Sequence, residues 1–327
     1  MRYRRSDLRG YRLRMKLRQQ NSWVFIVAIF AIGISSVNLC AQQLVSADMN
    51  TFLEARLASL KPSTTPTAAT KFEQICPVST NVMAKRVFDE YGAVFVVKEP
   101  SKFPDRCVFN DTADVERFQR SVKTKSALIG GVAIELQEAA MDSLIEVQKD
   151  AEALDLHITP LDGVIAGKRS YNDTVRIWNT RFQRALDHWV QVGKITEDDA
   201  TAMRKMDTVH QVEQVMAWES EGFYFSTDFS RSIFSSTAPP GTSQHLSMLA
   251  IDIVENNDPT IVWLLAARGW YRTVLNDATH FTFIGVPENE LPNRGLKPVM
   301  RGGYRFWIPN NAPTAATTAS SISGPEE

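Results

Sequence analysis

A carboxylate in the middle of an apolar run is the feature that most constrains how this chain can fold. Asp252 lies within residues 249–254, a six-residue stretch whose length and composition predict a buried β-strand. Burying an unpaired charge is costly, so a carboxylate in such a place is paired with a cation or bound to a metal. A glycine-bearing loop leads into His245, seven residues earlier. The segment PPGTSQHLSMLAIDIVE (239–255) therefore predicts a strand that carries a paired or metal-bound carboxylate.

Two further side chains complete a ligand set that is common for a catalytic metal. His280 begins another predicted strand, and Asp277 lies three residues before it. Two imidazoles and one carboxylate often hold a catalytic zinc, which keeps its fourth position for water. The metal lowers the pKa of that water towards about 7, and a nearby carboxylate can take its proton. The pattern predicts a hydrolytic zinc site with His245, Asp252 and His280 as ligands and Asp277 as the base.

Each of these side chains also has an ordinary structural explanation. His245 alone would be a satisfied polar residue, Asp252 a capping or salt-bridging residue, and the Asp-x-x-His pair a turn. The chain's other histidines have no comparable set of neighbours: His157, His188 and His210. Ligand type constrains metal choice only loosely, so another divalent metal stays open beside zinc. The zinc hypothesis therefore depends on three side chains converging in space.

Three segments follow one another along the chain: AGKRSYNDT (166–174), PPGTSQHLSMLAID (239–252) and DATHFTFIG (277–285). In this order they resemble the VanY-like D-alanyl-D-alanine carboxypeptidases, zinc peptidases that act on bacterial cell-wall peptides. The resemblance covers about residues 130–309. It implies hydrolysis of a terminal D-Ala-D-Ala bond in peptidoglycan stem peptides. It also implies a role for each matching residue: zinc ligands His245, Asp252 and His280, base Asp277, substrate-contacting Ser243, and Arg169 as the arginine that binds and polarises the substrate.

The chain departs from the family pattern at four positions. Met248 stands where the family has glycine, Thr279 where it has tryptophan, and Asp277 where it has glutamate. Lys168 replaces the tyrosine before Arg169. An aspartate base is shorter by about 1.5 Å, and misplacement of that order can cost about 10²-fold in rate. We also expect the methionine to narrow or reshape the pocket.

These departures leave several functions open. A carboxypeptidase is the first expectation, and an endopeptidase of the same fold is its nearest variant. The rival is a catalytically weak or inactive zinc-binding protein of the cell envelope. Arg169 has its own alternative as a surface salt bridge, although its loop between an apolar run and a helix favours a functional position.

The N-terminal 41 residues predict export. A basic stretch, MRYRRSDLRGYRLRMKLRQQ, precedes the apolar WVFIVAIFAIGI and then NLCAQQ, which is the order of a secretory signal with cleavage after Ala41. The alternative is an uncleaved membrane anchor, although the apolar core is short for a span of about 20 residues. In both cases the bulk of the protein is expected in the periplasm or outside the cell. Outside this region no basic cluster suggests nucleic-acid binding.

Cysteine usage agrees with export. Cleavage would remove Cys40 and leave Cys76 and Cys107. In an oxidising compartment two cysteines most simply form one disulfide, and the alternative is two separate buried thiols.

The hydrophobic periodicity predicts an α+β fold, in which helices cover one face of a small, mostly antiparallel sheet that carries the zinc site. Helices are expected at 82–91, 132–154 and 173–192, and after Thr196 and Asp258, which have capping signatures. Strands are expected at 93–97, 156–159, 163–167, 249–254, 270–274 and 280–286. The predicted organisation is a signal peptide (1–41), a short helix and linker (42–70), a small α/β extension holding the disulfide (71–125), the zinc peptidase domain (126–309) and a disordered tail (310–327). The extension is either structural or a wall-targeting module, and the oligomeric state stays open.

Overall fold

The computed structural model describes residues 47–59 and 71–311. The predicted signal peptide, the linker after residue 59 and nearly all of the predicted tail lie outside the described residues. Within the described ranges the helices are α1 (Met49–Ser59), α2 (Phe72–Ile75), α3 (Val82–Tyr91), α4 (Thr112–Ser121), α5 (Glu138–Glu152), α6 (Tyr171–Gln191), α7 (Glu197–Lys205), α8 (Thr208–Ser220) and α9 (Pro259–Ala267). None of these helices has the length and apolar content needed to cross a membrane.

The strands form three small antiparallel sheets, and this mixture of helices and sheets is compatible with the α+β prediction. One hairpin pairs β1 (Thr124–Ile129) with β2 (Val132–Gln137), and another pairs β6 (Leu296–Arg301) with β7 (Tyr304–Pro309). The third sheet has the order β3-β5-β4 and consists of β3 (Ala250–Asp252), β5 (His280–Phe283) and β4 (Trp270–Tyr271). This third sheet carries two of the predicted metal ligands.

Capping residues define the helices that the sequence predicted best. Ser170 and Asp173 form a capping box at the start of α6, and Thr196 and Asp199 do the same for α7. The side chain of Asp258 accepts two backbone N–H bonds at the start of α9, where proline occupies the first turn. The helices predicted at 173–192, after Thr196 and after Asp258 are therefore confirmed, as is the helix at 82–91.

Several predicted elements are wrong. Residues 92–96 form a 3-10 helix instead of a strand, and so do residues 163–166. Residues 156–159 contain no strand, and the neighbouring Pro160 makes a single bridge to Ile253. Periodicity does not distinguish a short buried strand from a buried turn of helix, which explains these errors.

The helix predicted from residue 132 begins six residues later, after β2. Gly130 and Gly131 both have positive φ angles, 52° and 81°, which suits a tight two-residue turn between antiparallel strands. The turn folds residues 132–137 back onto 124–129, and this hairpin replaces the first turns of the predicted helix. Neither strand of the hairpin was predicted.

A shared hydrophobic core joins the ranges 71–125 and 126–309. It contains Phe88 and Phe95 from the first range together with Trp178, Phe182 and Trp270 from the second. Both ranges belong to one compact unit. Cys76 and Cys107 are disulfide-bonded, as predicted, with Cα atoms 5.0 Å apart.

A smaller apolar cluster packs α4 against the 3-10 helix Gln244–Ser247. Its members are Phe109, Val115, Phe118, Val122, Tyr171, Leu246 and Met248. The side chain of Gln119 adds hydrogen bonds to the carbonyl groups of Arg169 and Leu246. These contacts fix the 3-10 helix that carries His245, so residues of the N-terminal extension help to position the candidate site.

Candidate metal centre

Strand register brings two of the predicted ligands together. Asp252, the last residue of β3, is the cross-strand partner of His280, the first residue of β5. Directly opposed residues in an antiparallel pair have Cβ atoms about 5 Å apart, so their side chains meet. The 3-10 helix Gln244–Ser247 places His245 beside this pair. The three side chains are buried, with exposed fractions of 1% for His245, 8% for Asp252 and 4% for His280.

The potential ligand atoms of these residues all lie within 4.8 Å of one another. His280 Nδ1 is 3.0 Å from Asp252 Oδ1, and His245 Nε2 is 3.3 Å from Asp252 Oδ2. The two inner ring nitrogens, His245 Nε2 and His280 Nδ1, are 3.1 Å apart. The group could therefore hold a metal ion.

The outer ring nitrogens have partners that can hold the imidazole protons. His245 Nδ1 is 2.7 Å from the carbonyl oxygen of Gly167, and His280 Nε2 is 2.8 Å from Gln244 Oε1. Both oxygens only accept hydrogen bonds, so they favour the tautomers in which each outer nitrogen carries the N–H. A neutral imidazole has one proton, and its inner nitrogen then presents a lone pair. Two lone pairs 3.1 Å apart beside a carboxylate repel one another unless a cation lies between them.

Electrostatics keep His245 and Asp252 in metal-binding protonation states. Burial, together with the nearby Arg169 cation, lowers the pKa of His245 to about 4, so this imidazole is neutral at pH 7. Burial opposes the ionisation of Asp252, but the contacts with His245 and His280 outweigh it and hold the pKa of this carboxyl well below its usual range. Neutral imidazole and ionised carboxylate are the forms that bind metals.

The donor set fits zinc. Two imidazole nitrogens and one carboxylate match catalytic zinc sites, which keep a further position for water or substrate. Histidine ligands of metals usually donate their outer N–H to a carbonyl or carboxylate, and both histidines have a carbonyl acceptor in that position here. The residues therefore fit a zinc ion, although other divalent metals accept the same donors.

Gln244 is a functional residue that sequence reasoning missed. It is buried, and its Oε1 atom accepts the His280 N–H and the hydroxyl groups of Thr273 and Thr282. Its amide group donates to the carbonyl oxygen of Tyr91 at 2.8 Å, which fixes the direction of Oε1. These partners come from three distant parts of the chain, so no local pattern signals this role.

Arg169 meets Asp252 in a buried ion pair. Its Nη2 atom is 2.5 Å from Asp252 Oδ2, its Nε–H donates to the Ile165 carbonyl, and its side chain is 13% exposed. The pair is the cation partner that the buried carboxylate required, and it is not the surface salt bridge considered as the alternative. Its Nη1 group makes no hydrogen bond with a described residue.

A cleft of about 640 Å³ opens onto the group and contains the other predicted site residues. Arg169, Ser243 and Asp277 line it together with the three ligands. The Ser243 hydroxyl makes no hydrogen bond with a described residue. Asp277 is exposed and accepts the Thr279 hydroxyl through Oδ1, and it lies outside the group of converging ligand atoms.

Met248 does not line this cleft, contrary to the expectation that it narrows the pocket. Its side chain is fully buried in the smaller apolar cluster with Phe109 and Phe118. Its backbone is left-handed, with φ 57° and ψ 35°, a conformation that glycine adopts without strain. The left-handed backbone therefore explains why the family pattern has glycine at this position. Met248 adopts the same conformation, and its side chain gains apolar packing.

The comparisons with known proteins do not assign the chain to a family. No family model matches it, and no curated protein matches it at a significant level of similarity. The geometry of the site is therefore the basis for any functional assignment.

Proposed function

We propose that this chain is an exported zinc-dependent peptidase that hydrolyses D-Ala-D-Ala type bonds in peptidoglycan stem peptides. The observation that carries the proposal is the convergence of the potential ligand atoms of His245, Asp252 and His280 beside a cleft. The peptide specificity is supported by the three segments that resemble VanY-like carboxypeptidases. Export is supported by the signal-like N-terminus and by the disulfide.

The residues around the group have separate roles in this proposal. Bound zinc would supply an acidified water and a positive charge beside the scissile carbonyl. The second carboxylate oxygen of Asp277 has no hydrogen bond with a described residue, so it is available to take a proton and pass it to the leaving amine. Arg169 orients Asp252 through Nη2, and its Nη1 group is available to a carbonyl or carboxylate of the substrate. The free hydroxyl of Ser243 orients the peptide.

A second candidate function is a zinc-binding envelope protein with weak or no turnover. One observation favours it. Asp277, which is shorter than the glutamate of the family pattern, is exposed, accepts a hydrogen bond from Thr279 and lies outside the group of converging ligand atoms. Cleavage inside a stem or crosslink, instead of at its end, is the nearest variant of the peptidase.

Metal analysis combined with digestion of a synthetic D-Ala-D-Ala pentapeptide tests these proposals. We expect one zinc per chain and release of D-alanine, with both lost in His245→Ala. Asp277→Asn should retain zinc and lose product. His157→Ala is the matched control, because His157 is exposed and makes no contact with the group, and it should retain both. Stoichiometric zinc without cleavage of any stem peptide would replace the peptidase with the non-catalytic candidate.

A further inference from the structure

Besides Arg169, the cleft is lined by two arginines of helix α6. Arg176, Ile177, Thr180 and Arg181 all line it. Positions four residues apart lie on the same side of a helix, so residues 176 and 180 form one row along α6 and residues 177 and 181 form the adjacent row. Arg176 and Arg181 therefore lie in adjacent rows of the helix surface that lines the cleft.

Arg181 lacks the partners that a guanidinium normally has. Its Nη1 group donates to the Thr180 hydroxyl at 2.6 Å, but its Nε atom is buried and has no hydrogen-bond partner. No carboxylate of the described residues forms a salt bridge with it. On the same helix, Arg176 does pair with Asp173 at 3.3 Å. A buried donor without a partner costs free energy, and a ligand in the cleft can supply the missing acceptor.

The acidic residues of the cleft leave Arg181 uncompensated. Asp252 is paired with Arg169, and the other lining carboxylates are the exposed Asp162 and Asp277. The guanidinium fork fits a carboxylate through two parallel hydrogen bonds, whereas a neutral amide cannot offer two charged acceptors. The geometry therefore favours an anionic group on the ligand.

We propose that Arg181, assisted by Arg176, binds a side-chain or branch carboxylate of the peptide substrate, at a distance from the cleaved bond. The inference rests on the proposed peptidase function and adds the class of substrate, an acidic peptide. The helix begins at Tyr171, close to Arg169, and a rise of about 1.5 Å per residue puts Arg181 about 15 Å along its axis. An extended peptide covers that length in about four or five residues.

Two synthetic D-Ala-D-Ala pentapeptides that differ at a single group test this subsite. One carries a free glutamate carboxylate at its first residue, four residues before its C-terminal D-alanine, and the other carries the corresponding carboxamide there. Calorimetric titration of the zinc-loaded full chain should show the acidic peptide binding about 10-fold more tightly or better, as expected for charge-assisted hydrogen bonds. Arg181→Gln should abolish the preference, and Arg181→Lys should keep part of it because the charge remains without the fork.

Arg184→Gln is the matched control, since Arg184 lies on the same helix but does not line the cleft. It should retain the full preference, and circular dichroism should show that all variants are folded. Equal affinity of the wild type for the two peptides, or no binding of either, would overturn the subsite.

Hydrolysis of both peptides is measured separately, so the two proposals fail in different ways. Preferential binding of the acidic peptide without cleavage would support the proposed subsite and refute the proposed peptidase activity. Cleavage of both peptides with equal affinity would support the proposed peptidase activity and refute the proposed subsite.

Discussion

The variant Gln244→Met tests whether the hydrogen bond between Gln244 and His280 determines which ring nitrogen of His280 carries the proton. In the wild type, Gln244 Oε1 offers an acceptor 2.8 Å from His280 Nε2, which favours the tautomer that leaves Nδ1 free for the metal. Methionine has a similar length but offers only a weak acceptor. Without the amide oxygen, the ring proton is free to move to Nδ1, where Asp252 Oδ1 at 3.0 Å accepts it in competition with the metal.

The expected magnitude follows from the contacts that are lost. Removing the outer partner of a ligating histidine typically costs 10- to 100-fold in metal affinity, and we expect a loss in that range. The metal-free protein should also lose about 1–3 kcal/mol of unfolding free energy, because the buried carbonyl group of Tyr91 loses the amide donor of Gln244. Competition with a chromophoric chelator measures the affinity, and urea unfolding of the metal-free protein measures the stability.

Gln211→Met separates the two effects. Gln211 is also buried, at 7% exposure, and it accepts the Trp178 indole N–H at 2.9 Å, but it makes no contact with the metal group. Its replacement should lower stability and leave zinc affinity within about twofold of the wild type, since only outer partners of ligands tune a metal site. If Gln244→Met binds zinc as tightly as Gln211→Met does, the argument from proton positions is wrong.

Three further predictions concern stability. Met248→Gly should relieve about 1 kcal/mol of left-handed backbone strain but lose buried packing worth about 2–5 kcal/mol. Urea unfolding should therefore show a net loss of unfolding free energy, with zinc affinity unchanged. A net gain in unfolding free energy would contradict the packing argument. Replacing Cys76 and Cys107 by alanine opens a loop with a sequence separation of 31 and should cost about 3–4 kcal/mol in the same assay, whereas two free thiols in the oxidised protein would refute the bridge. Burial raises the pKa of Glu219 despite two backbone N–H bonds to its carboxylate, so its contribution to stability is fully present below its unfolded pKa and is lost as pH rises through the folded pKa. Glu219→Gln should therefore become more stable relative to the wild type as pH rises from 4 to 8, and a pH-independent difference would contradict the assignment.

Local signals in the sequence determined a large part of this structure. The capping residues of α7 and α9 act within a few positions of one another, so the starts of these helices could be predicted without knowing the fold. Cys76 and Cys107 had a single simple pairing once the predicted signal peptide, with Cys40, was set aside. The carboxylate of Asp252 inside an apolar run also required a partner wherever the strand lay, because desolvation of a charge is costly in any fold.

Tertiary structure alone decided the remaining elements and the partners of the site residues, because these depend on contacts between distant segments. Residues 93–97 look like a strand, yet residues 92–96 form a buried 3-10 helix that belongs to the core. Only the packed structure shows that Arg169 pairs with Asp252, and that Gln244 links His280 to the carbonyl group of Tyr91. Composition and periodicity report what a residue prefers locally, whereas the partners that set its protonation and orientation are brought together by the fold.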